Sequence, residues 1–212
     1  MLELGFAHGT STAYIAAALQ ERDEGLVVAI DRRQALERRP NIFELTRHLG
    51  LERYVRPILV ERSYNWELMH LLEQKQEEGS GPSFDFCFFD GAHSWETDGL
   101  AFFLVDKVLR PDRWILFDDL YWTQEQSPAL SAEKAQMIPE DERRTAQVAK
   151  IFDLLVREHP AYNDFRLMGN YGWAYKGSNE ERLHAADVDE AVEPSILHAL
   201  TFARARERAQ PA

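Results

Sequence analysis

Two short apolar runs in the sequence each end in residues that could perform metal or acid–base chemistry. The first run, within FDFCFFDGAH, ends on Asp90, and His93 follows three residues later. The second run, WILF, ends on the adjacent pair Asp118 and Asp119. Carboxylate oxygens are the ligands that a hard cation such as Mg²⁺ prefers. A histidine, whose unperturbed pKa lies near ~6.5, could act as a general base beside them.

These groups meet only if the two runs are neighbouring strands. Each run is short, apolar and bounded by polar residues, as in a strand that is buried on both faces. Residues 97–110 between them have apolar side chains at helical spacing, so strand, helix and strand imply a right-handed parallel crossover. Neighbouring strands lie ~4.8 Å apart. Asp90, Asp118 and Asp119 are therefore expected at the carboxyl edge of the sheet, where open α/β sheets bind ligands.

The acid pair after the second run and the histidine after the first also have a purely structural interpretation. Asp118 and Asp119 could cap the following segment with no metal present. A lone histidine after a strand, such as His93, is often structural. The alternatives differ in whether a cation is needed to relieve the repulsion between three clustered carboxylates.

The chain begins with a pattern typical of a cofactor-binding turn. The first twelve residues read MLELGFAHGTST, in which the end of a strand leads into a loop bracketed by Gly5 and Gly9. A helix over 13–20 follows, and its N-terminus behind a glycine loop would let a cofactor approach the backbone. The spacing is not G-x-G-x-x-G, because Ala7 takes the middle position. An ordinary β–α turn is the alternative.

A second apolar strand, 26–30, ends on Asp31. Its distance from the glycine loop suits an acid that binds ribose hydroxyls, and a capping aspartate is the alternative. A third strand is predicted over 55–60, where Pro57 favours an edge position.

The remaining pattern completes an α/β domain over residues 1–177. Helices are predicted over 41–49, 66–76 and 145–158, and a hairpin joins 165–168 to 172–175 through Gly169-Asn170. The order predicts a doubly wound, Rossmann-like, mostly parallel sheet with an antiparallel C-terminal edge strand. Residues 120–144 form an insertion directly after a site strand and are predicted to be a lid. Residues 178–212 are predicted to be an acidic segment followed by a helix over 194–209.

Composition narrows the possible partners. The chain has 212 residues, 45% of them hydrophobic, and a net charge of −12, which disfavours nucleic acid and anionic membranes. Its one cysteine, Cys87, lies in an apolar run and is expected to be an inert core residue. No apolar run approaches the ~20 residues of a transmembrane helix, and no signal peptide is visible. A cytoplasmic location is the expectation.

Taken together, the residues resemble the class I S-adenosylmethionine-dependent methyltransferases, and within that class the small-molecule O-methyltransferases of the macrocin and catechol type. Three motifs provide the similarity. They are an E-x-G-x-x-x-G-x-S cofactor loop (Glu3, Gly5, Gly9, Ser11), a macrocin-type DGxH segment (89–95), and an L-R-P segment (109–111) before the strand that ends on Asp118 and Asp119. No single motif is specific, but the combination is.

The resemblance implies S-adenosylmethionine as cofactor, Mg²⁺ as cation and a small-molecule hydroxyl as methyl acceptor. The cofactor-binding residues it implies are Glu3, Gly5, Gly9, Ser11, Asp31, Ser63, Tyr64 and Asp90. Asp90, Asp118 and Asp119 would hold the cation, and His93, beside Asp90, would deprotonate the acceptor. Trp95, Tyr121 and Trp122 could form an apolar wall for a sugar or aromatic ring, with core packing as the alternative.

The chain departs from the family pattern at two places. Asp112 and Arg113 replace the usual pair of glycines before the fifth strand, which is expected to alter a surface turn. Family members usually carry one or more helices before the first strand, whereas this chain begins inside it, so a shortened chain, a misplaced gene start or an unusually open site is expected. A homodimer would fit both this and the amphipathic C-terminal helix.

Other functions fit parts of the pattern. A cephalosporin-hydroxylase-like enzyme and a non-catalytic S-adenosylmethionine-binding protein share most of the motifs. A nicotinamide-dependent oxidoreductase would need a tighter glycine fingerprint and a parallel sixth strand, and the sequence shows neither.

Overall fold

A seven-stranded sheet runs through the residues that the computed structural model describes, which are 1–78, 81–127 and 130–178. The strand order is β3-β2-β1-β4-β5-β7-β6. The strands are β1 (Leu2–Leu4), β2 (Val27–Arg32), β3 (Val55–Val60), β4 (Phe84–Phe89), β5 (Leu109–Phe117), β6 (Tyr162–Met168) and β7 (Tyr171–Lys176).

Helices connect the strands and cover the sheet. They are α1 (Thr10–Glu21), α2 (Ile42–Leu49), α3 (Tyr64–Glu78), α4 (Trp95–Val108), α5 (Ala132–Met137), α6 (Glu140–Arg144) and α7 (Gln147–Ile151). The last of these continues as a π-helical turn, Phe152–Val156. Short 3₁₀ segments lie at Arg33–Glu37, Glu52–Tyr54 and Gln124–Gln126. None of the helices in the described ranges is both long enough and apolar enough to cross a bilayer.

The predicted doubly wound, mostly parallel sheet is confirmed. Strands β1 to β5 pair in parallel, and β7 pairs antiparallel with both β5 and β6. The antiparallel strand β7 is therefore inside the sheet, and β6 forms the edge. At the opposite edge, β3 contains Pro57 and pairs only with β2 among the described strands, as the missing N–H of proline requires.

The main error of the predicted elements lies between α4 and β5. The helix predicted over 97–110 ends at Val108, and Leu109 already pairs with Phe84 as part of the sheet. Pro111 explains the early end, because a proline disfavours helical geometry in the residue before it. The predicted helix over 194–209 lies outside the described residues.

Two apolar cores hold the helices against the sheet. One includes Phe6, Ala16 and Ile42 and lies between the sheet and helices α1 and α2. The larger core lies on the other face and includes Cys87, whose burial raises the pKa of the thiol. Within it Phe89 stacks on Phe117 with 4.9 Å between ring centroids, at the carboxyl ends of β4 and β5. This contact fixes the two strand ends that lead into the site.

Candidate active site

The parallel register brings the residues after three strands to one edge of the sheet. Phe89 of β4 lies opposite both Leu4 of β1 and Phe117 of β5. The backbone continues the ladder beyond the strands, since the Asp90 amide donates to the Leu4 carbonyl at 2.9 Å and the Asp118 amide donates to the Phe89 carbonyl at 3.0 Å. The carboxylates therefore emerge side by side.

Three of these side chains form a cluster. Nε2 of His93 lies 3.5 Å from Oδ1 of Asp90 and 3.4 Å from Oδ2 of Asp119. One ligand atom from each residue lies within 4.8 Å of the other two, and all three residues are partly buried. Nε2 is itself buried and has no hydrogen-bond partner of good geometry in the described part of the chain. The arrangement could hold a divalent cation or accept a proton.

Asp118 stays just outside this cluster. Its Oδ1 accepts a hydrogen bond of 2.7 Å from the amide of Asp119. Partial burial raises the pKa of its carboxyl, and the charges of Asp90 and Asp119 raise it further. Asp118 therefore shares the electrostatic environment of the cluster. The third member of the cluster, beside Asp90 and Asp119, is however His93.

A buried acid that the sequence analysis missed shapes the loop carrying His93. Asp98 on α4 has 1% of its surface exposed and accepts hydrogen bonds of 3.1 Å from the amides of Ala92 and Ser94. The His93 amide also donates to it. Burial raises the pKa of Asp98 to about 6, against the effect of these amides. The only signal in the sequence was an acid in the first turn of a helix.

Close packing explains the glycine in this loop. A Cβ on Gly91 would lie 2.4 Å from the hydroxyl oxygen of Tyr64 and 2.5 Å from Oδ1 of Asp98. His93 takes a left-handed backbone conformation with φ of 55°. Such a conformation is uncommon for a residue with a side chain, so the amide contacts to Asp98 are needed to hold it.

One of the three predicted wall aromatics contacts the cluster. Trp122 packs on His93 with ring centroids 4.9 Å apart. Trp95 instead lines a separate cavity of about 510 Å³ together with residues of α6 and α7. The Trp95 amide donates to Oε1 of Gln147 at 2.7 Å. Tyr121 has 54% of its surface exposed.

A cleft of about 410 Å³ opens beside the cluster. Five predicted cofactor residues line it: Gly5, Asp31, Ser63, Tyr64 and Asp90. Gly5 has a φ of +80°, and a Cβ there would lie 1.8 Å from the carbonyl oxygen of Asp90. Only glycine therefore allows the first and fourth strand ends to approach this closely.

Asp31 anchors the loop that begins at Gly5. Its Oδ2 accepts hydrogen bonds from the amides of Phe6 at 2.9 Å and Ala7 at 2.8 Å. Its Oδ1 accepts from the amide of Arg32 at 2.6 Å. Each carboxylate oxygen can accept more than one hydrogen bond, so the same acid can fix the loop and face the cleft.

Glu3 lies beneath the loop. It is fully buried, and its two oxygens accept hydrogen bonds of 2.5 Å from the hydroxyls of Ser11 and Thr12. Burial raises the pKa of Glu3 to about 7, although both hydroxyls lower it. These contacts join β1 to the first turn of α1. Glu3, Gly9 and Ser11 are not among the residues that line the cleft.

Comparison with known proteins gives a family and a fold. Residues 2–120, more than half of the 212-residue chain, match the model of a family described as "Methyltransferase domain". No curated protein sequence matches the chain significantly.

Many solved structures are similar. One is an SAH-bound methyltransferase from Podospora anserina, with TM-score 0.59, 16% identity, and coverage of 84% of this chain and 71% of that one. Another is the O-methyltransferase TomG from Streptomyces achromogenes in complex with SAM, with TM-score 0.56, 17% identity, and coverage of 84% and 72%. A third is MycE of the mycinamycin pathway in complex with Mg, SAH and mycinamycin VI, with TM-score 0.50, 16% identity, and coverage of 85% and 45%. At these identities the similarity establishes a shared fold.

Proposed function

The chain belongs to the methyltransferase domain family, and we propose that it transfers a methyl group from S-adenosylmethionine to a hydroxyl of a small molecule, assisted by a divalent cation. One observation supports this most directly. The cluster of Asp90, His93 and Asp119 lies at the carboxyl edge of the sheet, and Asp90 and His93 also line the adjacent cleft. An acceptor bound at the cluster would therefore meet a cofactor bound in the cleft.

We assign the cleft to the cofactor. When bound there, S-adenosylmethionine supplies an electrophilic methyl group on a sulfonium. Gly5 and Asp90 would border its methionine part, and Asp31 would accept hydrogen bonds from the ribose hydroxyls. Ser63 and Tyr64 would border the adenine. Two of the structures with the same fold were solved with SAM or SAH, which supports this assignment.

Glu3, Gly9 and Ser11 act on the cofactor indirectly in this proposal. Glu3 has no exposed surface, and the hydroxyl of Ser11 is hydrogen-bonded to it. Gly9 immediately precedes α1 with a left-handed φ of 89°. These residues would hold the loop and the helix N-terminus in the shape that the cofactor needs.

His93 is the proposed general base. An acceptor hydroxyl must lose its proton as it attacks the methyl group, and a neutral imidazole can take it. Nε2 of His93 is available for this because it has no hydrogen-bond partner among the described residues. Trp122 packs on the imidazole. It would limit the directions from which an acceptor can approach.

The acids fit a divalent cation. Asp90 and Asp119 belong both to the predicted ligand set and to the observed cluster, so we assign them as ligands with Asp118 as the third carboxylate. The pKa of Asp118 is raised by burial and by its acidic neighbours, and a cation would relieve that repulsion. When bound, Mg²⁺ would lower the pKa of the acceptor hydroxyl. The structure of MycE with Mg has the same fold.

Residues 120–144 are the proposed lid that selects the acceptor. Arg143 and Arg144 of α6 both pair with Glu125, at 3.3 Å and 3.1 Å, and so join the two ends of the segment. The segment begins directly after Asp119. In this proposal the segment would cover a molecule bound at the cluster.

Calorimetric titration of the purified protein with S-adenosylmethionine, with and without Mg²⁺, tests the proposal. We expect binding in both conditions, with an affinity or enthalpy that changes when Mg²⁺ is present. Binding without any response to Mg²⁺ would remove the cation from the proposal. No binding in either condition would overturn the proposed function for this chain.

A further inference from the structure

The turn between β6 and β7 contacts the candidate site through one residue. Asn170 lies in this turn, and its Nδ2 donates a hydrogen bond of 2.8 Å to Oδ1 of Asp119. Its Oδ1 accepts one of 2.8 Å from the amide of Tyr121. Its backbone carbonyl accepts another of 3.0 Å from the amide of Leu120. Three consecutive residues after β5 are thus bound by a single residue that follows them by about fifty positions.

The contact with Asn170 gives the two carboxylate oxygens of Asp119 different neighbours. Oδ1 faces Asn170, and Oδ2 faces Nε2 of His93 at 3.4 Å. A donor fixed on one oxygen prevents rotation of the carboxylate and leaves the other oxygen directed at the cluster. Outer hydrogen bonds of this kind orient metal-binding carboxylates in many sites.

The backbone of Asp119 also needs support. Its φ of 54° is left-handed, which is uncommon for a residue other than glycine and is retained only where the surroundings impose it. The amides of the next two residues, Leu120 and Tyr121, donate to the carbonyl and to Oδ1 of Asn170, and these hydrogen bonds hold the chain in the direction that this conformation sets.

Turn formation alone does not account for the asparagine. Gly169 has a φ of +60° and supplies the left-handed residue of the hairpin turn. Both polar atoms of the Asn170 side chain are directed away from the hairpin, onto the segment after β5. The Gly-Asn pair therefore has a second role beyond the turn chemistry that its sequence indicates.

We propose that Asn170 is a positioning residue for Asp119, and that its amide donor sets the orientation in which this carboxylate serves the cation. The inference depends on the proposed function for the meaning of the cluster. In structural terms, the hairpin of β6 and β7 completes the site built by β4 and β5.

Mn²⁺ binding to the full chain, followed through the electron paramagnetic resonance signal of free Mn²⁺, tests the inference. Asn170→Ala removes every side-chain contact. Asn170→Leu keeps a side chain of similar size, removes the donor to Asp119 and adds no charge beside the cluster. Leu167→Ala is the control, because this side chain lies on the same hairpin with 49% of its surface exposed.

We expect both Asn170 variants to bind Mn²⁺ about 10- to 100-fold more weakly than the native protein, as for loss of an outer hydrogen bond to a ligand. Thermal unfolding of each variant shows whether the fold is retained, and Asn170→Leu serves if Asn170→Ala fails to fold. Native Mn²⁺ affinity in either folded variant would overturn the inference.

The two proposals fail separately. A native protein that binds Mn²⁺ but methylates no acceptor would refute the proposed function and leave the role of Asn170 intact. A native protein that transfers methyl groups but binds no Mn²⁺ would overturn the role of Asn170 and leave methyl transfer intact.

Discussion

The hydroxyl of Tyr64 donates a hydrogen bond to the carboxylate of Asp98, and this contact joins the cleft beside the cluster to the loop that carries His93. Tyr64 lines the cleft, while Asp98 binds the amides on both sides of His93. A substitution at either residue should therefore affect both the cleft and the loop that carries His93.

We expect Tyr64→Phe and Asp98→Asn each to reduce the free energy of unfolding by about 1–3 kcal/mol, since the first removes one hydrogen bond to a buried acid and the second replaces a carboxylate oxygen that accepts from backbone amides with an NH₂ group. The double variant should lose less than the sum, with a coupling of about 0.5–3 kcal/mol. Urea denaturation of the four proteins measures this cycle. Strict additivity would show that the two side chains act independently.

Glu3 should make stability depend on pH. Its pKa is raised by burial from 4.5 to about 7, so the folded protein holds this proton more tightly than the unfolded chain does. The stabilisation is complete below pH 4.5 and is lost as the pH rises through about 7. A change of this size corresponds to about 3 kcal/mol.

Denaturation of Glu3→Gln at pH 5 and pH 7.5 isolates this effect. The native protein should lose more stability than the variant between the two conditions, because glutamine does not titrate. Glu21→Gln, at an exposed position of α1, is the matched control. Equal losses in the native protein and in Glu3→Gln would contradict the prediction.

Loss of the proposed base, His93, should slow turnover without weakening the binding of S-adenosylmethionine. For His93→Gln we expect kcat to fall about 10²- to 10⁴-fold, the usual contribution of general-base catalysis. Affinity for S-adenosylmethionine by calorimetry should stay within about threefold, since the cleft keeps its other lining residues. His48→Gln, on the exposed side of α2, should change neither quantity.

Comparison of two variants tests whether Asp118 or His93 is the third ligand of the proposed cation. Mg²⁺ and Mn²⁺ accept carboxylate oxygens readily, so Asp118→Asn should weaken Mn²⁺ binding about tenfold or more. His93→Gln should change it much less. The reverse order would make His93 a ligand, in line with the cluster that the structure groups, and would remove it from the role of base.

The doubly wound, mostly parallel type of sheet could be predicted from the sequence because each strand is a short apolar run with polar residues at its end. With β4 and β5 as neighbours, this topology brings Asp90, Asp118 and Asp119 to one edge, since they follow parallel strands. Their topology is enough for this prediction. No knowledge of side-chain conformation is required.

The contacts that refine the site could not be predicted. Asp98 and Asn170 act through hydrogen bonds to backbone amides and to a carboxylate in other segments, and neither belongs to a chemical motif. The burial of Glu3 depends on the hydroxyls of α1 that cover it. Sequence patterns report which face of an element is apolar, but not which polar atoms meet across elements.

The position of β7 inside the sheet also determines when the site can be completed during synthesis of the chain. Asp119 and its partner Asn170 are 51 residues apart, a distance that a ribosome covers in about 3–10 s at typical elongation rates. Strands β1 to β5 can pair with one another before the hairpin has emerged. The carboxylate of Asp119 would thus acquire its hydrogen-bond partner last, after most of the domain has been synthesised.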